Sequence, residues 1–179
     1  NWHAGCNSYY IFHQPREELK MTDINKESIS ILNDLIETSK DGEKGFQTSA
    51  EDIKRPDVKA FFLSRSAEIA TAVRELQAEV RALGGDPETS SSVSGTLHRA
   101  WVDLKSTLTG KDDVAVLNEV ERGEDVALKA YKEARQKAIE KNLPAAVTSL
   151  IDKQLQGVQA NHDKVKTLRD AARAEKKAS

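Results

Sequence analysis

The sequence is short of cysteine, aromatics, proline and charge of one sign. Its single cysteine, Cys6, can form no intramolecular disulfide. A disulfide-stapled scaffold is therefore excluded, and a reducing, cytosolic setting is allowed. Only 5% of the 179 residues are aromatic and four are proline, while 31% are charged. Few helix breakers in a charge-rich chain suit an α-helical protein. Lys plus Arg number 27 and Asp plus Glu 29, a formal net charge of -2, so the chain carries no electrostatic footprint for nucleic acid. No apolar run approaches the ~20 residues that span a bilayer. There is no phosphate loop, nucleophile elbow or HExxH pattern.

What is present divides unevenly. Residues 1–20 hold Trp2, Tyr9, Tyr10 and Phe12, four of nine aromatics, together with Cys6, His3 and His13. This leader lacks the basic start, long apolar stretch and small-residue cleavage site of a signal peptide. The spacing of His3, Cys6 and His13 matches none of the common zinc patterns. Met21, the only methionine, marks the expected native start. Residues 1–20 are read as a leader, non-native or disordered, before one domain spanning 21–179, long enough for a real core.

From there the apolar spacing is helical. Ile29, Leu32, Ile36, Ser39, Glu43, Phe46, Ala50 and Ile53 alternate three and four apart, predicting a helix from Asn25 as N-cap to Lys54. Pro56 ends it. Asp57 opens a second helix with the stripe Val58, Phe62, Ile69, Val73, Leu76, Val80 and Leu83, stopped at Gly84-Gly85-Asp86-Pro87. A Ser/Thr-rich loop leads to a short helix over 96–108, with Leu97, Trp101, Leu104 and Leu108 on one face. Asp112 or Asp113 caps a third long helix with the seam Leu117, Val120, Glu124, Ala127, Tyr131, Ala134 and Ala138, ending near Asn142. Pro144 suits the first turn of a fourth, with Val147, Ile151, Leu155, Val158, His162, Val165 and Leu168, fading from Ala171 to Ser179. In that helix Lys164, Lys166, Arg169, Arg173, Lys176 and Lys177 form a basic stretch, read as a solvated answer to the helix dipole. His98 in the short helix is given a packing or capping role.

Four long helices with two tight connections and one long one predict an all-α four-helix bundle. The long connection can cross the length of the bundle. Each of the four helices then places a polar residue at or beside its apolar seam: Glu43, Glu68, Glu124 and His162. Counted from the turns at ~1.5 Å per residue, a crossover puts all four in one layer, roughly 18 Å from the Pro56 end. Without a crossover the two pairs separate by ~10 Å. Glu121 and Gln159 stand one turn from Glu124 and His162. Carboxylates and imidazole from four facing helices are the ligand set of a di-iron or di-manganese centre, in which two helices each carry Glu-x-x-His. Here Thr71 follows Glu68 where His belongs, and Gln159 precedes His162 where Glu belongs. The alternative is a metal-free network in which Glu43 and Glu124 bond to His162, Tyr131 or Ser39, with Glu68 reaching solvent.

Several strings recur in order: Lys40-Asp41-Gly42-Glu43-Lys44-Gly45-Phe46; Arg81-Ala82-Leu83-Gly84-Gly85-Asp86-Pro87; Gly95 to Lys105, with His98 and Trp101, and Thr109-Gly110; Glu121-Arg122-Gly123-Glu124-Asp125; and His162-Asp163. Together, over about Ile24 to Ala172, they resemble a bacterial family of uncharacterised ferritin-like four-helix-bundle proteins. The resemblance implies a ferritin-like bundle in a bacterial, cytoplasmic protein, and includes Glu43, His98, Glu121, Glu124 and His162 among its motifs. It imports no established activity. The functional expectation is a bundle whose polar layer is structural or weakly metal-binding, tied by fold analogy to stress or metal handling. The alternatives are a ferroxidase-type oxidoreductase with iron or manganese held by Glu43, Glu68, Glu124 and His162, assisted by Glu121 and Gln159, or a module that self-associates into a homo-oligomer through apolar helix faces. Neither nucleic acid nor membrane is an expected partner.

Overall fold

The computed structural model describes residues 16–87 and 112–179. They form four helices: α1 (Arg16–Asp52), α2 (Pro56–Ala82), α3 (Asp113–Glu140) and α4 (Ala145–Ala178). The short helix expected over 96–108, with His98 and Trp101, lies outside the described residues, as do His3, Cys6 and His13.

α1 starts at Arg16, well before the Asn25 cap expected from the sequence. Residues 16–25 contain no glycine or proline, and Glu17 and Glu18 sit in the first turn, where the helix dipole favours negative charge. The residue-21 boundary therefore falls inside a continuous helix. α2 opens on Pro56, whose fixed φ suits a first turn. It closes with Gly84 at φ 80°; Gly84 N–H donates to the Arg81 carbonyl and Gly85 N–H to that of Val80, a Schellman ending. Gly85 is also a close-approach position, since a Cβ there would lie 2.8 Å from Ile29. α3 ends the same way with Asn142 at φ 52° and Leu143 N–H donating to the Ala138 carbonyl. Asp112 caps α3 by accepting from Ala115 N–H at 2.9 Å. The expected fading of α4 from Ala171 is corrected. The helix continues to Ala178, and its last turns are tied down by Arg173 to Asn118, Lys176 to Asp112 and Glu175 to Arg55.

The connectivity is settled by one side chain. Asp113, in the first turn of α3, accepts from the backbone N–H groups of Lys54 and Arg55 at 2.8 and 3.1 Å. The start of α3 thus sits on the α1–α2 turn. The connection from Leu83 to Asp112 must cross the bundle from one end to the other. At the far end Asn33 donates to the Asp86 carbonyl at 3.1 Å. The arrangement is an antiparallel hairpin, a crossover and a second hairpin, with α1 against α3 and α2 only lightly against α4.

The core fills the axis with aliphatic side chains, including the fully buried Leu32, Leu76, Leu117 and Ile151. Towards the Pro56 end, Phe46 and Phe62 meet edge to face with centroids 5.5 Å apart, which adds about 1 kcal/mol beyond their burial. No described helix is long and apolar enough to cross a membrane.

Candidate functional site

Midway along the bundle the packing opens into a cavity of about 300 Å³. Small residues leave the room: Gly42 on α1, Ala72 on α2, Ala127 on α3 and Gly157 on α4 all line it. A Cβ at Gly157 would meet nothing within 4 Å, and one at Gly42 would first touch Ile69 at 3.8 Å. Glu68, Thr71 and Lys153, all exposed, stand on the α2–α4 side and mark the mouth.

Two ionisable groups enter this space from opposite helices. Glu124 is 2% exposed, and its Oε2 has no hydrogen-bond partner. Burial pushes its pKa up to about 7, although Arg65 and His162 partly offset that and Asp125 adds to it. Arg65 is 8% exposed. One Nη of its guanidinium donates to Glu68 at 3.3 Å, and its Nε is unpartnered.

A closed hydrogen-bond chain runs beside them. Tyr131 donates to Gln154 Oε1 at 2.8 Å, so Ser39 must donate to the Tyr131 oxygen, 3.0 Å away. Gln154 Nε2 in turn donates to the Ala72 carbonyl at 3.1 Å and to Glu75 at 3.2 Å. Lys153 closes the chain on Glu75 at 2.8 Å. Burial pushes the Tyr131 hydroxyl up to about 12, so it stays a donor throughout the physiological range.

Only two of the six expected residues line the cavity: Glu124 within it and Glu68 at its mouth. Glu43 is half-buried, and its backbone carbonyl accepts from Ser66 at 3.3 Å. Glu121 is buried in a direct ion pair with Arg169. His162 is bracketed by Asp125 at 2.7 Å on Nε2 and Asp163 at 3.1 Å on Nδ1. Burial lowers its pKa, but those two carboxylates outweigh it and the net shift is upward. Gln159 donates to the same Asp163 at 3.0 Å. The two carboxylates occupy different ring nitrogens, so His162 and its partners face no common point.

Periodicity missed two central residues. Arg65 fills the seven-residue gap between Phe62 and Ile69 in the α2 stripe, where a helix seam requires a member at 65 or 66. Gln154 is buried where the pattern favoured Leu155, which is only half-buried. The first had a signal, the gap itself. The second had none, because Leu155 fits the spacing equally well.

Among the described residues no three His, Cys, Asp or Glu side chains converge as metal ligands. The layer supplies one buried carboxylate and a guanidinium. A di-iron or di-manganese centre needs several carboxylates and a nitrogen donor, so the donors among the described residues do not fit one.

A family model described as a domain of unknown function (DUF2383) matches residues 27–137. No curated protein matches the chain. Among solved structures, the bacterioferritin of Desulfovibrio desulfuricans, described with a diiron site, is 13% identical with a TM-score of 0.71, covering 86% of this chain and 84% of that one. The dodecameric thioferritin of Bacteroides fragilis, a bacterioferritin-related protein, is 19% identical with a TM-score of 0.70, covering 90% and 97%. The DPS protein of Vibrio cholerae, described as one of the ferritin-like diiron-carboxylate proteins, is 14% identical with a TM-score of 0.66, covering 82% and 91%. At these identities the likeness establishes a ferritin-like four-helix bundle.

Proposed function

The chain belongs to the DUF2383 family of unknown function, and we propose that it is a ferritin-like bundle whose middle layer is an arginine-balanced polar chamber in place of an oxidative di-metal centre. The observation that carries this reading is Arg65, buried in the layer that also holds Glu124. A guanidinium in a low-dielectric layer repels an incoming divalent cation and takes up the carboxylate charge that would balance it. Two further acids of α3 are engaged away from the cavity, Glu121 with Arg169 and Asp125 with His162, while Glu68 and Glu75 at the lining pair with Arg65 and Lys153. In this reading Glu43, Glu121, Gln159 and His162 position helices, and Glu124 with Arg65 forms the site.

A second reading, favoured by the diiron sites of the fold neighbours, gives Glu124 and Glu68 to weak iron or manganese binding. Elemental analysis of protein produced in iron- and manganese-supplemented medium separates the two. The proposal expects metal far below one ion per chain and no oxidation of added Fe(II) above buffer. One ion or more per chain, lost in Glu124→Ala, overturns it. The bacterial neighbours support a bacterial protein, and the dodecameric one motivates sedimentation analysis for self-association. The exposed large apolar side chains among the described residues, Leu19, Met21, Leu63 and Ile139, are spread over three helices and form no single stripe.

A further inference from the structure

We propose that the mid-bundle cavity binds a small neutral molecule with an apolar body and one planar head that offers a hydrogen-bond acceptor and a donor side by side, the chemistry of a short-chain primary amide. This rests on the reading that no metal fills the layer. The size is suitable: about 300 Å³, against ~150 Å³ in an engineered cavity that admits benzene. Ile69, Ala72, Ala127 and Val158 supply apolar wall. Entry is between α2 and α4, neighbours that touch only lightly.

The polar requirement is specific because most of the lining is already satisfied. Ser39, Tyr131, Gln154, Glu75 and Lys153 are bonded to one another. Two buried atoms remain without partners, the Arg65 Nε donor and the Glu124 Oε2 acceptor. An amide carbonyl accepts from the first while its N–H donates to the second. Such groups are costly to leave unpaired in a cavity. A neutral head is favoured by the charges around it. Arg65, Glu68 and Glu75 of α2 and Lys153 of α4 line the cavity together with Glu124, and α1 contributes only Thr38, Ser39 and Gly42. A free carboxylate would meet Glu124 and Glu68 as well as Arg65 and Lys153, and an ammonium the same groups with the signs reversed, so either charge meets repulsion that a neutral head avoids.

Gly157 gives the test a variant that leaves the fold intact. Its Cβ position is open, and glycine inside a helix is less stable than a residue with a side chain. Gly157→Leu therefore fills the cavity without clashing at its root. The full chain, with metal content measured in the same sample, is titrated with isobutyramide by NMR and calorimetry, with isobutyrate and isobutylamine as charged counterparts. The expected result is saturable binding of one isobutyramide per chain, stronger than either charged probe. Glu124→Leu and Arg65→Lys each weaken it about tenfold, the loss of one hydrogen bond. Gly157→Leu abolishes it with unchanged circular dichroism and no fall in Tm. Absence of saturable amide binding in metal-free protein, binding that survives Gly157→Leu, or preference for a charged probe overturns the inference. Stoichiometric metal in the sample overturns the arginine-balanced chamber itself, whereas metal-free protein that ignores the amide overturns only the ligand.

Discussion

Glu121 and Glu124 stand one turn apart on the same helix, both buried, and they are held in opposite ways. Glu121 meets Arg169 of α4 directly, and Arg169 is steadied further by Asp170 at 2.7 Å. Among the described residues Glu124 meets no cation at contact distance. The largest cationic influence on it is Arg65, and its Oε2 is without a partner in a residue that lines the cavity. The first arrangement is a clamp between α3 and α4. The second is an unfinished site, because a buried carboxylate is stable only with a partner, a proton or a ligand. Two acids of similar burial and identical chemistry are therefore held differently, and the difference lies in what the facing helix offers.

Truncating each acid should break the comparison most sharply. Glu121→Ala strands the Arg169 guanidinium, and removing one partner of a buried pair costs about 3 kcal/mol, partly relieved here by Asp170. Glu124→Leu removes an unsatisfied group and fills space, so it should be neutral or stabilising by about 1 kcal/mol. Urea unfolding of both variants at pH 7 measures the contrast. Equal large losses would mean that Glu124 is also clamped.

The next effect is carried by pH. Glu124 has a folded pKa of about 7 against an ordinary 4.5, so the native state holds its proton more tightly than the unfolded state. That stability is present in full below pH 4.5 and is lost as pH rises to about 7, by about 3 kcal/mol at most for a shift of this size. The difference in unfolding free energy between wild type and Glu124→Gln should fall over that window and then level off. A flat difference from pH 4.5 to 8 would show that Glu124 is already paired or well solvated.

The contrast also explains how much of the molecule could be read in advance. Helix existence and the two tight connections followed from seams such as Val147, Ile151 and Val158 and from the stops at Gly84 and Pro144, because burial imposes a period on sequence, while the crossover rested on the length of the long connection alone. Residue counting put the polar residues in one layer along the axis on the condition of a crossover. It could not give azimuth. His162 satisfies the seam spacing, yet its ring is held at the α3–α4 edge by Asp125 and Asp163, since a half-buried imidazole gains more from two carboxylates than from an apolar interior. Arg65 was hidden for a related reason. A long cationic side chain is expected at the surface, and contact with Glu68 and the field of Glu124 help to make its burial tolerable.

The smallest effect separates the clamp face from the cavity by pH window. His162 has its pKa raised above 6.5, because Asp163 and Asp125 outweigh the burial that lowers it. A raised folded pKa contributes stability that is fully present below 6.5 and is lost as pH climbs through the folded value. This window starts near where that of Glu124 closes. Both carboxylate partners are largely exposed, 62% for Asp125 and 64% for Asp163, so solvent screening keeps the contribution to about 1 kcal/mol or less. The stability of wild type relative to His162→Gln should therefore decline from pH 6.5 upward, and 0.5 M salt should shrink the decline, as expected for a screened pair. The Glu124 window, set mainly by desolvation, should be far less sensitive to salt. If both windows respond to salt alike, the buried acid and the half-buried imidazole share one solvated environment, and the separation between clamp and cavity fails.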